Sequence, residues 1–472
     1  AVEGQASSNC PASNSAFEYD ANGFVSRTTD GEGRITTFIN STAGRVTSIT
    51  QGYGSAAAIT TTASWHPVFD LPTSVQAPGL RTDYSYDLAG RLTQKTETDT
   101  SSISSPYSTT GRTRTWNYLY NSSGLLDQVD GPMPGVSDVV SYIYDSQGYI
   151  SAVNSPAGLW QIQSVDGMGR PLVVVDPNGL QTMMAYDAMG RITSYQIGGL
   201  TTSLEYDAAG NVTQVTLSSG AYFQYAYDAA NRLTSIEDDL GNHVQYTLDV
   251  AGNRVQEDVF DSNNVLRRTL ARIYDELGQI IQARGGNGQA LNVVYDKSGL
   301  PTSFSNGLSA YTQTFDALGR LAQQIDGEQG TTGYTYDGSG RVATITDPRG
   351  LVTRYTYDGF GNLIQLDGPD SGLTVYTYDD SGNRTSQRDS KNQLTSYEYD
   401  ASNRVIRTQW NDGLQAHYFY DEGSYGKGRL TGISDSSGST SWAYNAHGRV
   451  TSKTQVAGAQ TLTTSYGYDT AG

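Results

Sequence analysis

Tyr336-Asp337-Gly338-Ser339-Gly340-Arg341-Val342 is followed 21 residues later by Tyr357-Asp358-Gly359-Phe360-Gly361-Asn362-Leu363 and then by Tyr378-Asp379-Asp380-Ser381-Gly382-Asn383-Arg384. The phrase opens a fourth time at Tyr399-Asp400-Ala401-Ser402-Asn403-Arg404-Val405. Self-similarity at a fixed period of this size marks a repeat architecture, in which each unit buries its apolar face only against its neighbours. Between Arg341 and Tyr357 the chain reads RVATIT, then Asp347-Pro348-Arg349-Gly350, then LVTRYTY. Val, Ile, Thr and Tyr fit a pleated, half-buried surface, so one repeat is two short strands and two turns. Each turn begins with an Asp, whose carboxylate can accept from backbone N–H groups ahead of it, and ends with a Gly that can take positive φ.

Tyr355 and Tyr357 stand two apart, so each returning strand presents a pair of rings to one face. The following strand alternates less cleanly, because Val342 and Ile345, Val46 and Ile49, Leu233 and Ile236, and Val212 and Val215 all stand three apart. Either a bulge intervenes or both faces of the sheet are partly covered.

Working outward, Phe17-Glu18-Tyr19-Asp20, Asp30-Gly31-Glu32-Gly33-Arg34 and Phe38 to Val46 already carry the pattern. An irregular insertion at about 51–83, with Trp65, His66, Pro67 and Pro72, breaks the phase, and a Ser/Thr-rich one at about 96–113 breaks it again. Asp145, Asp166, Asp187, Asp207, Asp228 and Asp249 then fall 20 or 21 apart. A lengthened hairpin at about 256–272 precedes Asp275, and Asp296, Asp316, Asp337, Asp358, Asp379, Asp400 and Asp421 resume the beat. Gly472 falls inside a turn, so residues 1–472 read as a single repeat segment and a fragment of a larger protein.

About 20 repeats give about 40 strands, and at ~4.8 Å per strand they make a ribbon roughly 190 Å long. A ribbon of that length cannot lie flat, since open twisted sheets rarely pass about ten strands without curling. Wound twice, it has a diameter on the order of 30 Å, wide enough to be hollow. The composition agrees: hydrophobic residues make up 36%, thin for one compact core, while Tyr reaches 34 and Gly 53 of 472 residues. The net charge of −18 argues against a nucleic-acid partner. No apolar run suggests a membrane span or a signal peptide. Cys10 is the single cysteine, so the chain holds no internal disulfide.

Tyr-Asp-x-x-Gly-Arg-Leu/Val at this step resembles the YD repeats of the Rhs family, shared with the C components of bacterial Tc toxins and with teneurins. Tyr86 to Leu92, Tyr186 to Ile192, Tyr206 to Val212, Phe315 to Leu321 and Tyr336 to Val342 lie nearest the pattern, and the likeness covers nearly the whole chain. Trp65-His66-Pro67 and Arg114-Thr115-Trp116 look like the irregular insertions of bacterial members. The resemblance implies an all-β chain of YD-repeat hairpins in one long spiralling sheet, a hollow shell or part of one, enclosing a C-terminal toxin domain as cargo. Asp176-Pro177-Asn178-Gly179-Leu180 and Asp347-Pro348-Arg349-Gly350-Leu351 copy only the opening of the family's plug segment, so the cleavage site and the toxin are absent from this chain. A secreted or cell-surface protein of bacterial type is expected.

The structural repeat residues are Tyr186, Asp187, Gly190, Arg191, Tyr336, Asp337, Gly340, Arg341, Tyr357, Asp358 and Gly361. Tyrosines wall the sheet, Asp and Gly make the turns, and the Arg after each Gly is placed to pair with a neighbouring repeat's Asp, for ~0 to 1 kcal/mol each. No catalytic, cofactor or metal site is expected. His66, His243, His417 and His447 are scattered and read as structural loop residues, and nothing around Cys10 activates a thiol. One carboxylate per turn reads as capping rather than a calcium loop, and Gly285 to Ala290 reads as a hairpin loop. Adjacent pairs such as Asp238-Asp239 and Asp379-Asp380 point apart, unlike glycosidase pairs. Sequons at Asn40, Asn121, Asn211 and Asn383 read as by-products of the repeat. Two rival classes remain: an extracellular binding protein presenting its aromatic rows to carbohydrate or another surface, and a surface fibre self-associating through open sheet edges.

Overall fold

The computed structural model describes residues 2–4, 13–133, 138–286 and 288–469. Cys10, Asn287 and both chain ends, Ala1 and Gly472, lie outside the described residues. Forty-two strands, from β1 (Val2–Gly4) to β42 (Gln460–Ser465), follow one another with no helix among the described residues. Each strand pairs antiparallel with the next in sequence and with no other pattern, giving one uninterrupted meander.

Within one repeat, β30 (Thr331–Tyr336) turns at Asp337 into β31 (Val342–Thr346), which turns at Asp347 into β32 (Val352–Tyr357). Tyr336 lies opposite Val342 but Thr335 lies opposite Thr344, so Ala343 is an extra residue and the strand bulges. That bulge answers the three-residue spacing, since one extra residue returns Ile345 to the side of Val342. The same shift recurs at Tyr186 with Ile192, Tyr206 with Val212 and Tyr357 with Leu363. Bulges strengthen local twist, and one per repeat on the same edge bends the ribbon steadily.

The Tyr-Asp turns line one edge of the ribbon and the intervening return turns line the other. The return edge of the first coil meets the Tyr-Asp edge of the second. Arg34 Nη2 reaches Asp296 Oδ2 at 3.0 Å, from the turn between β3 (Val25–Thr29) and β4 (Ile35–Asn40) to the turn between β26 (Ala290–Tyr295) and β27 (Pro301–Ser305), twenty-three strands on. Ser339 Oγ donates to the Pro78 carbonyl, and Asn178 exchanges hydrogen bonds with Lys427. Twenty-three strands at ~4.8 Å give a circumference of about 110 Å and a diameter of about 35 Å, so the described chain winds nearly twice.

The chain exposes 26031 Å² of surface, about half as much again as the ~17000 Å² of a compact globule of this mass. Of the described hydrophobic residues only Met133, Ala152, Val175, Ile364 and Ala416 are buried. This is a wall wetted on two faces rather than a core wrapped in a surface. No helix among the described residues is long and apolar enough to cross a membrane.

Two sequence expectations change. The stretch 51–83 breaks the motif but not the sheet, for it contains β6 (Ile59–Trp65), β7 (Pro72–Ala77) and the start of β8 (Leu80–Tyr86). Of 96–113, residues up to Asp99 complete β9 (Leu92–Asp99) and Thr113 opens β10 (Thr113–Tyr120), leaving a loop of 100–112 that lies on the seam between coils. The hairpin near 256–272 consists of β23 (Arg254–Phe260) and β24 (Leu266–Tyr274), with nine residues in the second strand.

Candidate functional site

Many repeats are fastened to the next by one recurring clasp. Asp187 Oδ1 accepts the N–H groups of Met189 and Arg191, both at 2.9 Å, and Oδ2 accepts Arg191 Nε at 2.6 Å. Gly190 closes the turn at φ 87°, where a side chain is strained. Asp337, Gly340 and Arg341 repeat this arrangement, with Arg341 Nε 2.8 Å from Asp337 Oδ2 and Gly340 at φ 85°. In the next turn Asp358 caps Asn362, whose Nδ2 takes the place of the guanidinium at 2.8 Å, and Gly361 lies at φ 91°. The N–H of Arg191 leads in holding the Asp187 carboxyl below the usual carboxylate range, and the Arg91 side chain leads at Asp87.

The arginine therefore pairs first within its own turn, not with a neighbouring repeat's Asp as its spacing suggests. At i, i+4 across a tight turn the fork meets its own carboxylate before any other. Arg404 is the case that bridges both, reaching Asp400 at 2.7 Å and Asp421 of the next repeat at 2.6 Å. Once paired, the guanidinium plane lies over the next repeat's tyrosine: Arg170 over Tyr186 at 4.6 Å, Arg191 over Tyr206 at 4.4 Å, Arg320 over Tyr336 at 4.1 Å and Arg341 over Tyr357 at 4.8 Å. Each such contact contributes roughly 0.5 to 1 kcal/mol.

The tyrosine hydroxyl then donates back to the carbonyl at the bulge of the preceding repeat. Tyr186 bonds to Pro171 O at 2.9 Å, Tyr206 to Ile192 O at 2.7 Å and Tyr336 to Leu321 O at 2.7 Å. Burial pushes the Tyr336 hydroxyl up, which keeps it a donor. Other donors can fill the place, Asn40 Nδ2 bonding to Val25 O at 2.8 Å and Trp65 Nε1 to Val46 O at 2.9 Å, whereas Val165, Leu248 and Phe315 stand there without one. The sequon at Asn40 is thus a residue in the tyrosine place.

The second constellation is the seam. Asp99 Oδ2 accepts from Gly359 N at 2.7 Å and Thr109 Oγ1 at 2.6 Å, and Oδ1 accepts from Ser101 N at 2.8 Å. Asp99, Thr109, Asp358 and Ile364 are the fully buried large residues of the described chain. Burial pushes the Asp99 carboxyl up, but the hydrogen bonds from Ser101, Thr109 and Gly359 outweigh it and hold it below the usual range. Beside it, Arg112 Nη2 meets Asp380 at 2.5 Å, Arg114 lies 4.1 Å over the Phe360 ring, and Tyr107 donates to the Tyr376 carbonyl at 2.5 Å, its own hydroxyl pushed up to about 12, chiefly by burial.

Asp379 caps its own turn while Asp380 turns to the seam, so that pair does point apart. The histidines are not all in loops. His243 opens β22 (His243–Leu248) and stacks on Phe260, and His417 lies within β38 (Gln415–Tyr420). His66 accepts the N–H groups of Val68 and Phe69 in its turn, and His447 faces the Ile197 carbonyl across the seam. Sequence reasoning missed the seam altogether, because its partners stand 249 to 269 residues apart and share no motif.

RHS Repeat models match residues 315–350, 336–373, 378–414 and 425–461, and a Teneurin YD-shell model matches 160–257. No curated protein sequence matches the chain. Among solved structures, the crystal structure of TcdB2-TccC3 aligns with TM-score 0.53 and 16% identity, over 96% of this chain and 29% of that one. TcdB2-TccC3-TEV aligns with TM-score 0.54 and 14% identity, over 96% and 30%. TcdB2-TccC3-Cdc42 gives 0.53 and 14%, over 96% and 28%. At these identities the fold is what is shared, and this chain spans less than a third of each of those structures.

Proposed function

Because this chain is a YD-repeat protein of the Rhs family, we propose that it is part of the wall of a toxin-associated shell whose work is to enclose a cargo polypeptide. The cargo is a C-terminal toxin domain outside this chain, and the assembly is secreted or displayed at the cell surface. The carrying observation is the seam, which closes a meandering ribbon into a coil about 35 Å across, as twenty-three strands per turn require. The work is mechanical rather than catalytic. The repeat residues of the clasp, Tyr186 to Arg191 and Tyr336 to Gly361, act collectively by fastening one hairpin to the next.

The test is to fuse a disordered polypeptide after Gly472 and follow its cleavage by a protease, alongside electron-microscopic class averages of the unfused chain. Ring-shaped averages with an empty centre, and cleavage slower than that of the free polypeptide, are expected. Filled averages, or cleavage at the free rate, overturn the enclosing role.

A further inference from the structure

Among the repeats that depart from the clasp, one brings its departures together in a cleft of about 380 Å³ on the tyrosine face. Arg232 follows the usual rule as far as its own turn, pairing with Asp228 at 2.7 Å. The next repeat, however, carries Leu248 where the tyrosine belongs, so Arg232 has no ring beneath it and no hydroxyl reaches the Leu233 carbonyl. One residue past the following turn, Arg254 stands where Leu or Val usually does. Two places before Tyr274, Arg272 occupies the position of the first tyrosine of the pair, as Tyr355 does before Tyr357. A missing ring leaves space, and two apolar positions converted to arginine line that space with charge.

Arg232, Arg254 and Arg272 line the cleft with no carboxylate among its lining residues, and the nearest acid to the last two is Glu257 beside it. Arg254 Nη1 and Arg272 Nη2 each stand 3.7 Å from the same Glu257 Oε2, beyond hydrogen-bond reach, while Arg268 Nη2 takes Glu257 Oε1 at 2.5 Å. One carboxylate thus faces three guanidiniums, of which Arg254 also lies 3.5 Å over the Tyr246 ring, so positive charge exceeds negative around this face in a chain of net charge −18. Arg272 Nη1 is buried with no hydrogen-bond partner. An unsatisfied buried donor is costly, and a planar guanidinium fork is shaped for the oxygens of a carboxylate or phosphate. The volume is that of a small-ligand pocket.

We propose that Arg232, Arg254 and Arg272 form a binding site for a compact multivalent oxyanion, with Leu248 providing the room and Glu257 acting as the resident counter-charge that the ligand displaces. The probe is inorganic phosphate, titrated calorimetrically into the whole chain at low ionic strength. Saturable binding is expected, weakened about tenfold or more, a loss of roughly 1.4 kcal/mol, in Arg272→Gln. Leu248→Tyr installs the residue used at this place in other repeats and refills the cleft, so it abolishes binding while leaving the fold intact. Glu257→Gln tightens binding, because it removes the competing carboxylate. Absence of saturable binding to the native chain overturns the site, as does a Leu248→Tyr variant that binds like the native chain or a Glu257→Gln variant that binds more weakly. A melting curve for each variant separates lost binding from lost folding.

Discussion

Gly359 and Gly361 sit two residues apart in one turn and are glycine for different reasons. Gly361 lies at φ 91°, a conformation that costs an L-residue about 1 to 2 kcal/mol but that asparagine tolerates. The chain itself makes that replacement, with Asn231 and Asn403 at φ 59° and 61° in the matching turn position. Gly359 has an ordinary backbone and needs space instead: a Cβ there would collide with the Gly79 carbonyl oxygen and the Asp99 carboxylate across the seam. Gly338, the matching residue one repeat earlier, has nothing within 4 Å of the same Cβ. Gly361→Asn should therefore cost little, whereas Gly359→Ala should cost about 1 to 3 kcal/mol, the usual range for overpacking, and Gly338→Ala almost nothing. Thermal melting of the three variants decides the matter, and equal losses at 338 and 359 would remove the seam from the explanation. The sequence shows all three as interchangeable turn glycines, because only Gly359 has its neighbour 260 residues away.

At the scale of the hairpin, a capping carboxylate recurs at many turns. Asp87, Asp166, Asp187, Asp207, Asp228, Asp238 and Asp249 are all held below their ordinary 3.8 by hydrogen bonds from the turn they close. A lowered carboxyl stabilises the fold above its unfolded value, and that contribution disappears as pH falls through the lowered value. Stability should thus be level from neutral pH down to about 5 and fall steeply below 3.8, with many turns titrating together. Far-UV circular dichroism against pH reads this directly, and an acid limb that begins well above pH 5 would point to other groups. The turn is legible in the sequence, with Asp at its start and Gly at its end, while the three-residue spacing of Val342 and Ile345 allows either a bulge or a sheet covered on both faces, and the register shows the bulge. The arginine's role is not legible there, since spacing offers it two carboxylates and only the turn geometry favours its own. Nor does the consensus reveal that Tyr336, Asn40 and Trp65 share a place from which each donates to the corresponding carbonyl.

Across the whole molecule two kinds of contact differ in range. Strand pairing and the clasps join each hairpin to its sequence neighbours, so the ribbon's local stability is a sum of nearest-neighbour terms. The seam joins residues a full coil apart, and no strand of the described residues pairs across it. The number of strands and the need to coil follow from the repeat and the strand spacing, but the pitch does not, because it is fixed by particular residues in the irregular loop 100–112 and at Arg34. Removing those residues should uncouple shape from secondary structure. In a variant carrying Arg34→Ala, Asp99→Ala and Arg112→Ala, the strands and clasps remain while the coils lose their ties at Asp296, Gly359 and Asp380 and keep the hydrogen bonds of Ser339 with Pro78, Asn178 with Lys427 and Tyr107 with Tyr376. Size alone would not mark the intact coil, whose radius of gyration of roughly 25 Å, from its diameter and two ribbon widths, stands close to the ~23 Å of a compact globule. An opened ribbon of 42 strands is another matter, since a straight one approaches roughly 60 Å. Small-angle scattering of the triple variant should show a radius of gyration rising well beyond that of the native chain, with an unchanged β-sheet circular dichroism spectrum. If the radius stays put while the spectrum is preserved, the ties of Arg34, Asp99 and Arg112 are not what holds the coil, and the bulges with the remaining seam contacts suffice. If both collapse together, the ribbon has no independent existence and the coil folds as one unit.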